Sequence, residues 1–167
     1  MANIILVAHN LRSCHNVGSL LRTADGLGVS EVYLTGYTPY PISTDDKRLP
    51  HLSQKINKQI HKTALGAEET VTWGHKDSVL ELISELRNKG YVIAAVEQSK
   101  ASVDLTKYKA PKNIALVIGR EVEGIEPEVL SAVDVVLEIP MFGKKESFNV
   151  IEAATMAIYQ CRFKICT

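Results

Sequence analysis

Three short segments of the chain concentrate the residue types that bind ligands and orient reacting atoms. They read NLRSCHNVGSLLRTA, LVIGREVEGI and IPMFGKKESFN, and each sets glycine beside amide, hydroxyl, carboxylate or guanidinium side chains. Glycine lets the backbone approach a ligand closely. Polar groups at the start of a helix form a common binding site for small molecules in proteins that alternate strands and helices.

The third segment has the most informative pattern. An apolar strand, Val135–Ile139, breaks at Pro140, and the chain turns through Gly143 and two lysines before it offers Ser147 and Asn149 at the start of a long helix. This order of strand, glycine loop and polar helix start predicts a small-molecule site in an α/β protein. Serine and asparagine are also favoured helix caps, so a purely structural role stays open for both.

The first segment places an amide and a guanidinium near one helix. Asn16 and Arg22 lie six positions apart, so they do not share a helix face unless Asn16 precedes the helix as its cap. Arg22 stands among Leu20, Leu21 and Ala24, a costly place for a charge unless a partner is present. A surface ion pair and an active-site role are both open for Arg22.

The second segment predicts a tight turn between a strand and a helix. A buried strand should end at Gly119, and an acidic loop containing Gly124 leads to a helix that starts near Pro127. The loop lacks the Lys-Ser/Thr pair of a P-loop and the GxGxxG pattern of dinucleotide-binding proteins, so an ordinary strand-to-helix turn is an alternative. The histidines and cysteines show no metal-ligand spacing, and we expect no metal.

The elements that must position these segments alternate between strand and helix. One helix should run from about Asn16 to Leu27, a second follows an N-cap at Asp77 or Ser78, and the last covers Asn149–Phe163. This alternation predicts an α/β fold with a mostly parallel sheet and helices on both faces. Apolar runs predict the strands Ile4–Ala8, Glu31–Thr35, Tyr91–Val96, Ile114–Ile118 and Val135–Ile139.

Composition indicates one ordinary globular domain covering residues 1–167. The chain has 167 residues, of which 46% are hydrophobic and 23% charged. No apolar run reaches the ~18 residues of a membrane helix, so we expect no membrane partner. Cys14, Cys161 and Cys166 form an odd, unpatterned set, which indicates the reducing cytoplasm.

The charges are unevenly distributed although the formal net charge is zero. A long loop at Gly36–Pro50 leads into a basic segment, Lys47–Lys62, which holds five basic residues, two histidines and no acid. Such a segment can neutralise phosphates, or it can be a solvated loop and helix face.

The final helix has Glu152 as its only charged residue before Arg162. A helix that is apolar on nearly every side should be buried all round. In a domain of this size, such a helix indicates either a subunit interface, and hence a dimer, or a place in the middle of one sheet face.

In order and separation, the three segments resemble the motifs of the SpoU (TrmH-type) branch of the SPOUT RNA methyltransferases. The matching stretches are NVGSLLRTA, LVIGREVEGI and IPMFGKKESFNVIEAA, and the resemblance extends from Asn10 to about Tyr159. It implies methyl transfer from S-adenosylmethionine to a ribose 2′-hydroxyl of tRNA or rRNA. It also implies a homodimer, a single SPOUT domain without a separate RNA-binding extension, and a C-terminal trefoil knot, a rare exception to un-knotted topology.

The resemblance assigns roles by position. Arg22 matches the family's catalytic arginine, Asn16 an asparagine that organises its pocket, and Glu121 a glutamate that could orient the Arg22 guanidinium. Ser147 and Asn149 match the polar pair that positions catalytic groups beside the cofactor. The residues expected to contact S-adenosylmethionine are Glu97, Val117, Ile118, Gly119, Gly124, Ile139, Pro140, Met141, Ser147, Phe148 and Asn149.

RNA is expected to lie against the basic segment and the lysines of the third motif. The chain departs from the family's common SLNVS pattern at Phe148, which should reshape the pocket, and at Ile151, which lacks a hydroxyl. Two other functions stay open: an RNA-binding protein of the same fold without catalysis, and a methyltransferase acting on a base nitrogen. The expected RNA contacts are Arg12, Lys47, Arg48, Lys55, Lys58, Lys62, Lys144 and Lys145.

Overall fold

The computed structural model describes residues 2–164, and within this range strands and helices alternate as the sequence predicts. The strands are β1 (Asn3–His9), β2 (Glu31–Thr35), β3 (Trp73–Lys76), β4 (Val92–Val96), β5 (Val103–Asp104), β6 (Asn113–Ile118) and β7 (Val135–Glu138). The helices are α1 (Cys14–Gly26), α2 (Pro50–Ala64), α3 (Ala67–Thr70), α4 (Val79–Asn88), α5 (Pro127–Ala132) and α6 (Val150–Phe163).

These strands form one sheet in the order β3-β2-β1-β6-β4-β7-β5, and every neighbouring pair is parallel. The prediction of a mostly parallel sheet is confirmed. In the register, Ala8 of β1 pairs with Ile118 of β6, and Ala95 of β4 pairs with Val117 of β6. The carboxyl ends of the central strands therefore lie along one edge of the sheet, where the loops that follow them meet.

Two strands were not predicted, and they are the two edges of the sheet. β3 has the sequence WGHK, and β5 consists of two residues. An edge strand pairs with one neighbour only and is partly exposed, so it needs no continuous apolar run. The five predicted strands are the interior ones, whose apolar runs reflect burial on both faces.

Helices cover both faces of the sheet, as the sequence predicts. Alternate residues of β1 point to opposite sides: Ile4 and Leu6 pack with α1, α2 and α6, whereas Ile5 and Val7 pack with α4 and α5. Burial of each such side chain contributes about 1.5–3 kcal/mol to folding. The sheet is therefore held between two apolar layers.

α1 begins at Cys14, two residues before the predicted start near Asn16. Its N-cap is Ser13, whose hydroxyl accepts a hydrogen bond from the backbone N–H of Asn16 at 3.2 Å. The capping role left open for Asn16 is therefore wrong, because Asn16 lies inside the first turn with its side chain available for another contact. α4 begins after Ser78, one of the two predicted caps, which accepts from the backbone N–H of Glu81.

α1 crosses α2 at very short range. A Cβ added at Gly18 would overlap the carbonyl oxygen of Ile60 and the hydroxyl of Thr63, so only glycine fits the crossing. The Thr63 hydroxyl donates to the carbonyl oxygen of His15 over 2.8 Å. This crossing determines where α1 holds Arg22, one turn beyond Gly18.

α6 is buried on one side only. Tyr159 and Phe163 are 58% and 64% exposed, and their ring centroids are 4.8 Å apart. The prediction of a helix buried all round is wrong for the single chain, because small residues rather than the aromatic ones face the sheet. The side chains that α6 buries are Ala154, Ala157, Ile158 and Cys161.

Across residues 2–164, no helix combines the length and apolarity that crossing a membrane requires. Cys14 and Cys161 are free thiols, and Cys166 lies outside the described residues.

Candidate active site

A cavity opens at the carboxyl ends of β4, β6 and β7. The chain leaves β6 toward the face covered by α4 and α5, and it leaves β7 toward the face covered by α6, so the two loops diverge over the end of β4. Diverging loops at the carboxyl ends of parallel strands are the usual ligand site of α/β sheets. The wall consists of Val96, Glu97, Gln98, Gly119, Arg120, Glu121, Val122, Gly124, Leu137, Ile139, Ser147, Phe148, Val150 and Ala153.

The loop after β6 forms one side of the cavity and is held by Glu97. One carboxylate oxygen of Glu97 accepts from the backbone N–H of Ile125 at 3.1 Å, and the other accepts from the N–H of Gln98 at 2.9 Å. Gly124 lies against this carboxylate with a φ of +69°, where an added Cβ would overlap Glu97. Glycine is required here both for its backbone conformation and for its size.

The first and second motifs meet at Glu121. Its carboxylate accepts from the side-chain amide of Asn16 at 3.0 Å and from the backbone N–H groups of Arg12 and Ser13 at 3.4 Å each. Burial acts to raise the pKa of Glu121, but these hydrogen bonds, together with one from its own backbone N–H, outweigh burial and hold the pKa below its ordinary value. Glu121 is therefore an anion at neutral pH on the cavity wall.

Two further contacts join the same loops. Asn10 has a left-handed φ of 57°, donates from its amide to Glu126 at 3.0 Å and accepts from the backbone N–H of Tyr37 at 3.1 Å. Arg12 pairs with Glu123 at 2.8 Å on the surface. The loop that begins α1 thus contacts the loop after β6 along its length.

A buried histidine stands behind these contacts. His9 Nδ1 lies 2.9 Å from the hydroxyl of Thr35, while Nε2 lies 3.0 Å from the amide nitrogen of Asn10 and 3.4 Å from Glu126 Oε2. Burial lowers the pKa of His9, Glu126 acts against that change, and Arg120 adds to it. A neutral ring satisfies Thr35 and Asn10, since Nδ1–H can donate to Thr35 while Nε2 accepts from Asn10, but it leaves the buried Glu126 Oε2 without a donor.

The third motif divides between the cavity and the start of α6. Ser147 and Phe148 lie on the wall, whereas Asn149 is the N-cap of α6 and its side-chain oxygen accepts from the backbone N–H of Ile151 at 2.8 Å. The structural role left open for Asn149 is thus realised. Pro140 and Met141 line an adjoining cavity together with Gln98 and Ser99.

The cavity suits a ligand that combines an apolar ring with a positive charge. The apolar part of the wall consists of Val96, Leu137 and Ile139. Two carboxylates also belong to it, those of Glu97 and Glu121. Apolar walls with a few convergent polar groups are typical of cofactor sites, and a carboxylate near a cation offsets the cost of burying it. S-adenosylmethionine carries an adenine ring and a sulfonium, so these residues fit it.

Comparison with known proteins identifies the family. The model of the SpoU rRNA Methylase family matches residues 3–159. The chain belongs to the SpoU family.

Two SpoU-type relatives illustrate the match in sequence. The chain is 30% identical to the tRNA (guanosine(18)-2′-O)-methyltransferase of Aquifex aeolicus, over 96% of this chain and 69% of that protein. It is 32% identical to the 23S rRNA (guanosine-2′-O-)-methyltransferase RlmB of Neisseria meningitidis, over 95% of this chain. The chain spans 58% of the length of the Neisseria protein.

Solved structures show the same fold. The A. aeolicus TrmH/SpoU tRNA modifying enzyme superposes with a TM-score of 0.79 at 26% identity, covering 98% of this chain and 76% of that one. The AdoMet-bound rRNA methyltransferase from Sinorhizobium meliloti gives a TM-score of 0.80 at 20% identity, covering 99% and 57%. The α/β architecture of this chain is therefore that of the SpoU enzymes.

In this SpoU chain, Arg22 does not line the cavity. It is exposed on α1 and lines a separate groove with Asp25, Leu65 and Thr70. Six positions correspond to about 240° around a helix, so Asn16 and Arg22 point in different directions. The expectation that Glu121 orients the Arg22 guanidinium is wrong within one chain, because Glu121 binds Asn16 instead.

Two predicted cofactor contacts lie outside the lining of this cavity. Val117 and Ile118 are buried inside β6 and do not belong to the cavity wall, which begins one residue later at Gly119. Their side chains fill the two apolar layers of the sheet. The predicted contacts that do line this cavity are Glu97, Gly119, Gly124, Ile139, Ser147 and Phe148.

The basic segment divides into exposed lysines and one engaged arginine. Arg48 binds the carboxylate of Asp46, donates to the carbonyl oxygens of Tyr40 at 2.9 Å and Pro41 at 3.0 Å, and lies 3.6 Å from the Tyr40 ring centroid. It therefore fastens the long loop. Within residues 2–164, no ion pair or side-chain hydrogen bond engages the exposed residues Lys47, Lys55, Lys58, Lys62, Lys144 and Lys145.

Sequence reasoning missed two polar residues of the wall. The Gln98 amide donates to the carbonyl oxygen of Glu146 at 2.8 Å, which ties the loop after β4 to the third motif. Arg120 Nε donates to the carbonyl oxygen of Gly124 at 3.2 Å. Their place directly after strand ends was the available signal. Over the described residues 2–164, no group of three or more His, Cys, Asp or Glu side chains could hold a metal ion.

Proposed function

We propose that this SpoU chain transfers a methyl group from S-adenosylmethionine to a ribose 2′-hydroxyl of tRNA or rRNA. The proposal rests on the convergence of Glu121, Gly124 and Ser147 on one cavity, with Asn16 of the first motif bonded to Glu121. The relatives named above, which carry 2′-O-methyltransferase names for tRNA and for 23S rRNA, support it.

Different residues of the cavity would bind different parts of the cofactor. The adenosine would lie against Val96, Leu137, Ile139 and the backbone of Gly119. Negative charge near the sulfonium would come from Glu97 and Glu121. S-adenosylmethionine supplies an electrophilic methyl group when bound.

Glu121 is a positioning group rather than a proton acceptor. An acid whose pKa is lowered by four hydrogen-bond donors is a weak base. Its role in the proposal is to hold Asn16 and the start of α1 against the cofactor loop.

The guanidinium already on the cavity wall, that of Arg120, is bonded to the carbonyl oxygen of Gly124, so the Arg22 guanidinium would have to come from a second copy of the chain. Arg22 is exposed and outside the cavity of its own chain, so we propose a homodimer in which Arg22 of one protomer completes the cavity of the other. A guanidinium beside the 2′-oxygen would stabilise the negative charge that develops there as the proton leaves. The exposed aromatic rings of α6 give the dimer an apolar surface to bury.

The proposal also covers RNA contact and chain topology. We place the RNA backbone along the exposed lysines of α2, which follow one face of the helix at Lys55, Lys58 and Lys62. A C-terminal trefoil knot and a cytoplasmic location belong to the same proposal. The knot is supported by the loops after β6 and β7, which leave the sheet toward opposite faces and line the same cavity.

Mixed dimers test the proposal directly. Arg22→Ala and Glu121→Gln should each abolish methyl transfer to RNA extracted from cells that lack the gene, while calorimetry still shows S-adenosylmethionine binding to Arg22→Ala. When the Arg22→Ala and Glu121→Gln variants are refolded together, the mixture should regain part of the activity. A mixed dimer has one cavity in which Glu121 of one protomer and Arg22 of the other are both unchanged. Mixed dimers without recovered activity would place Arg22 in the cavity of its own chain.

Nucleoside mass spectrometry of the methylated RNA separates the remaining functions. A 2′-O-methyl nucleoside is expected. A base-methylated nucleoside instead would identify a base methyltransferase, and RNA binding without any methylation would indicate a non-catalytic protein.

A further inference from the structure

An aromatic side chain stands almost fully in water beside the cavity. Phe142 is 98% exposed, the highest value among the large apolar residues described. It lies between Met141, which lines the adjoining cavity, and Gly143. A single exposed apolar side chain is common on protein surfaces, so the exposure of Phe142 acquires a meaning only from the residues around it.

The neighbours of Phe142 indicate what that molecule is. Lys144 and Lys145 follow at once, both are exposed, and across residues 2–164 neither has an ion pair. Lysine is depleted in protein–protein interfaces. An aromatic face beside basic side chains is the surface that binds single-stranded nucleic acid, since bases stack on the ring and lysines neutralise phosphates.

The opposite side of the cavity has no such surface. Val122 is 86% exposed in the loop after β6, but it has no ring, and its neighbours are Glu121 and Glu123. The positive groups on that side, Arg12 and Arg120, are already paired with Glu123 and Glu126. Among the described residues near the two loops, an RNA strand would therefore meet an exposed ring together with unpaired lysines on the Phe142 side.

We propose that Phe142 is a stacking platform for an unpaired base next to the methylated nucleotide, so that the substrate is a loop or single-stranded segment rather than a duplex. This inference rests on the proposed function and names the class of RNA that the site accepts. The ribose 2′-hydroxyls of an A-form duplex are accessible in its minor groove, but its bases are stacked on one another and offer no free face to Phe142.

Three substitutions separate stacking from simple apolar contact. Phe142→Ala and Phe142→Leu should each raise KM for RNA by about 10-fold, since stacking on a protein ring contributes about that much per base. Phe142→Trp should keep KM near that of the unmodified protein. The matched control is Val103→Ala, at an exposed position of β5 outside the cavity wall, and it should leave KM unchanged. In all of these variants kcat and the affinity for S-adenosylhomocysteine should stay constant.

If Phe142→Leu keeps the KM of the unmodified protein, the contact is apolar rather than stacking, and the proposed platform is wrong. An unchanged KM in Phe142→Ala would also contradict the proposal. Dissociation of the dimer in Phe142→Ala, seen by analytical ultracentrifugation, would assign the ring to a contact between copies.

A second readout does not depend on methyl transfer. Addition of single-stranded oligoadenylate should quench the fluorescence of Phe142→Trp beyond that of the unmodified protein, whose only tryptophan is Trp73, and a matched RNA duplex should not. Equal quenching by both RNAs would overturn the preference for unpaired bases. A protein that quenches but methylates no RNA would contradict the proposed function while leaving the platform in place.

Discussion

Asn16 donates a side-chain hydrogen bond of 3.0 Å to Glu121, a residue 105 positions later in the chain. This contact joins the helix that carries Arg22 to the loop that walls the candidate cofactor cavity. Backbone N–H groups of Arg12 and Ser13 bind the same carboxylate, so the carboxylate organises the start of α1 as well.

Replacement of Glu121 by glutamine should uncouple these two loops. The amide accepts fewer hydrogen bonds than the carboxylate and brings a donor toward other donors, so we expect methyl transfer to be abolished and the free energy of unfolding to fall by about 1–3 kcal/mol. Activity assays and urea unfolding measure the two effects. The control is Glu123→Gln. The side-chain partner of Glu123 is the exposed Arg12, so this variant should change neither value much. Equal loss in both variants would contradict a special role for Glu121.

Gly124→Ala should weaken cofactor binding. An alanine at a φ of +69° is strained by about 1–2 kcal/mol, and its Cβ would push the Glu97 carboxylate away from Ile125. Calorimetry with S-adenosylmethionine should show a higher Kd. Gly143→Ala is the matched control, because nothing lies within 4 Å of a Cβ at that position, and it should bind normally.

Arg48 and Lys58 should behave in opposite ways. Arg48→Ala removes the contacts to Asp46, Tyr40 and Pro41, so we expect a stability loss of about 1–3 kcal/mol. Lys58→Ala should leave Tm unchanged but weaken RNA binding. It should also reduce the slope of the logarithm of the RNA affinity against the logarithm of the salt concentration by about one. Thermal unfolding and RNA binding at several salt concentrations test both. A Tm loss in Lys58→Ala, or none in Arg48→Ala, would reverse the assignment.

The buried His9 should make folding sensitive to mild acid. Burial lowers its pKa from 6.5, so the unfolded chain takes up a proton that the folded chain resists, and stability should fall as the pH drops below 6.5. His9→Gln should flatten this part of the pH dependence of unfolding. His15→Gln, at an exposed position, should not; equal slopes in the unmodified protein and His9→Gln would show that other groups cause the effect.

The local pattern of apolar residues was sufficient to predict the interior strands of the sheet. The runs at β1, β2, β4, β6 and β7 are apolar because these strands are covered on both faces, and that burial is visible in sequence. β3 and β5 were missed because edge strands carry no such run. The same logic explains α6: its composition indicated burial, but composition does not tell which side faces the sheet and which side stays exposed.

The candidate site shows the same division. Sequence alone indicated the three motifs, the glycine loops and the acidic and hydroxyl groups in them, because these are residue types tied to local backbone needs. Only the tertiary structure decided that Glu121 binds Asn16, that Arg48 fastens a loop, and that Arg22 lies outside the cavity. Such contacts join residues far apart in the chain, and their geometry depends on how whole helices are rotated and packed, which spacing along one segment does not encode.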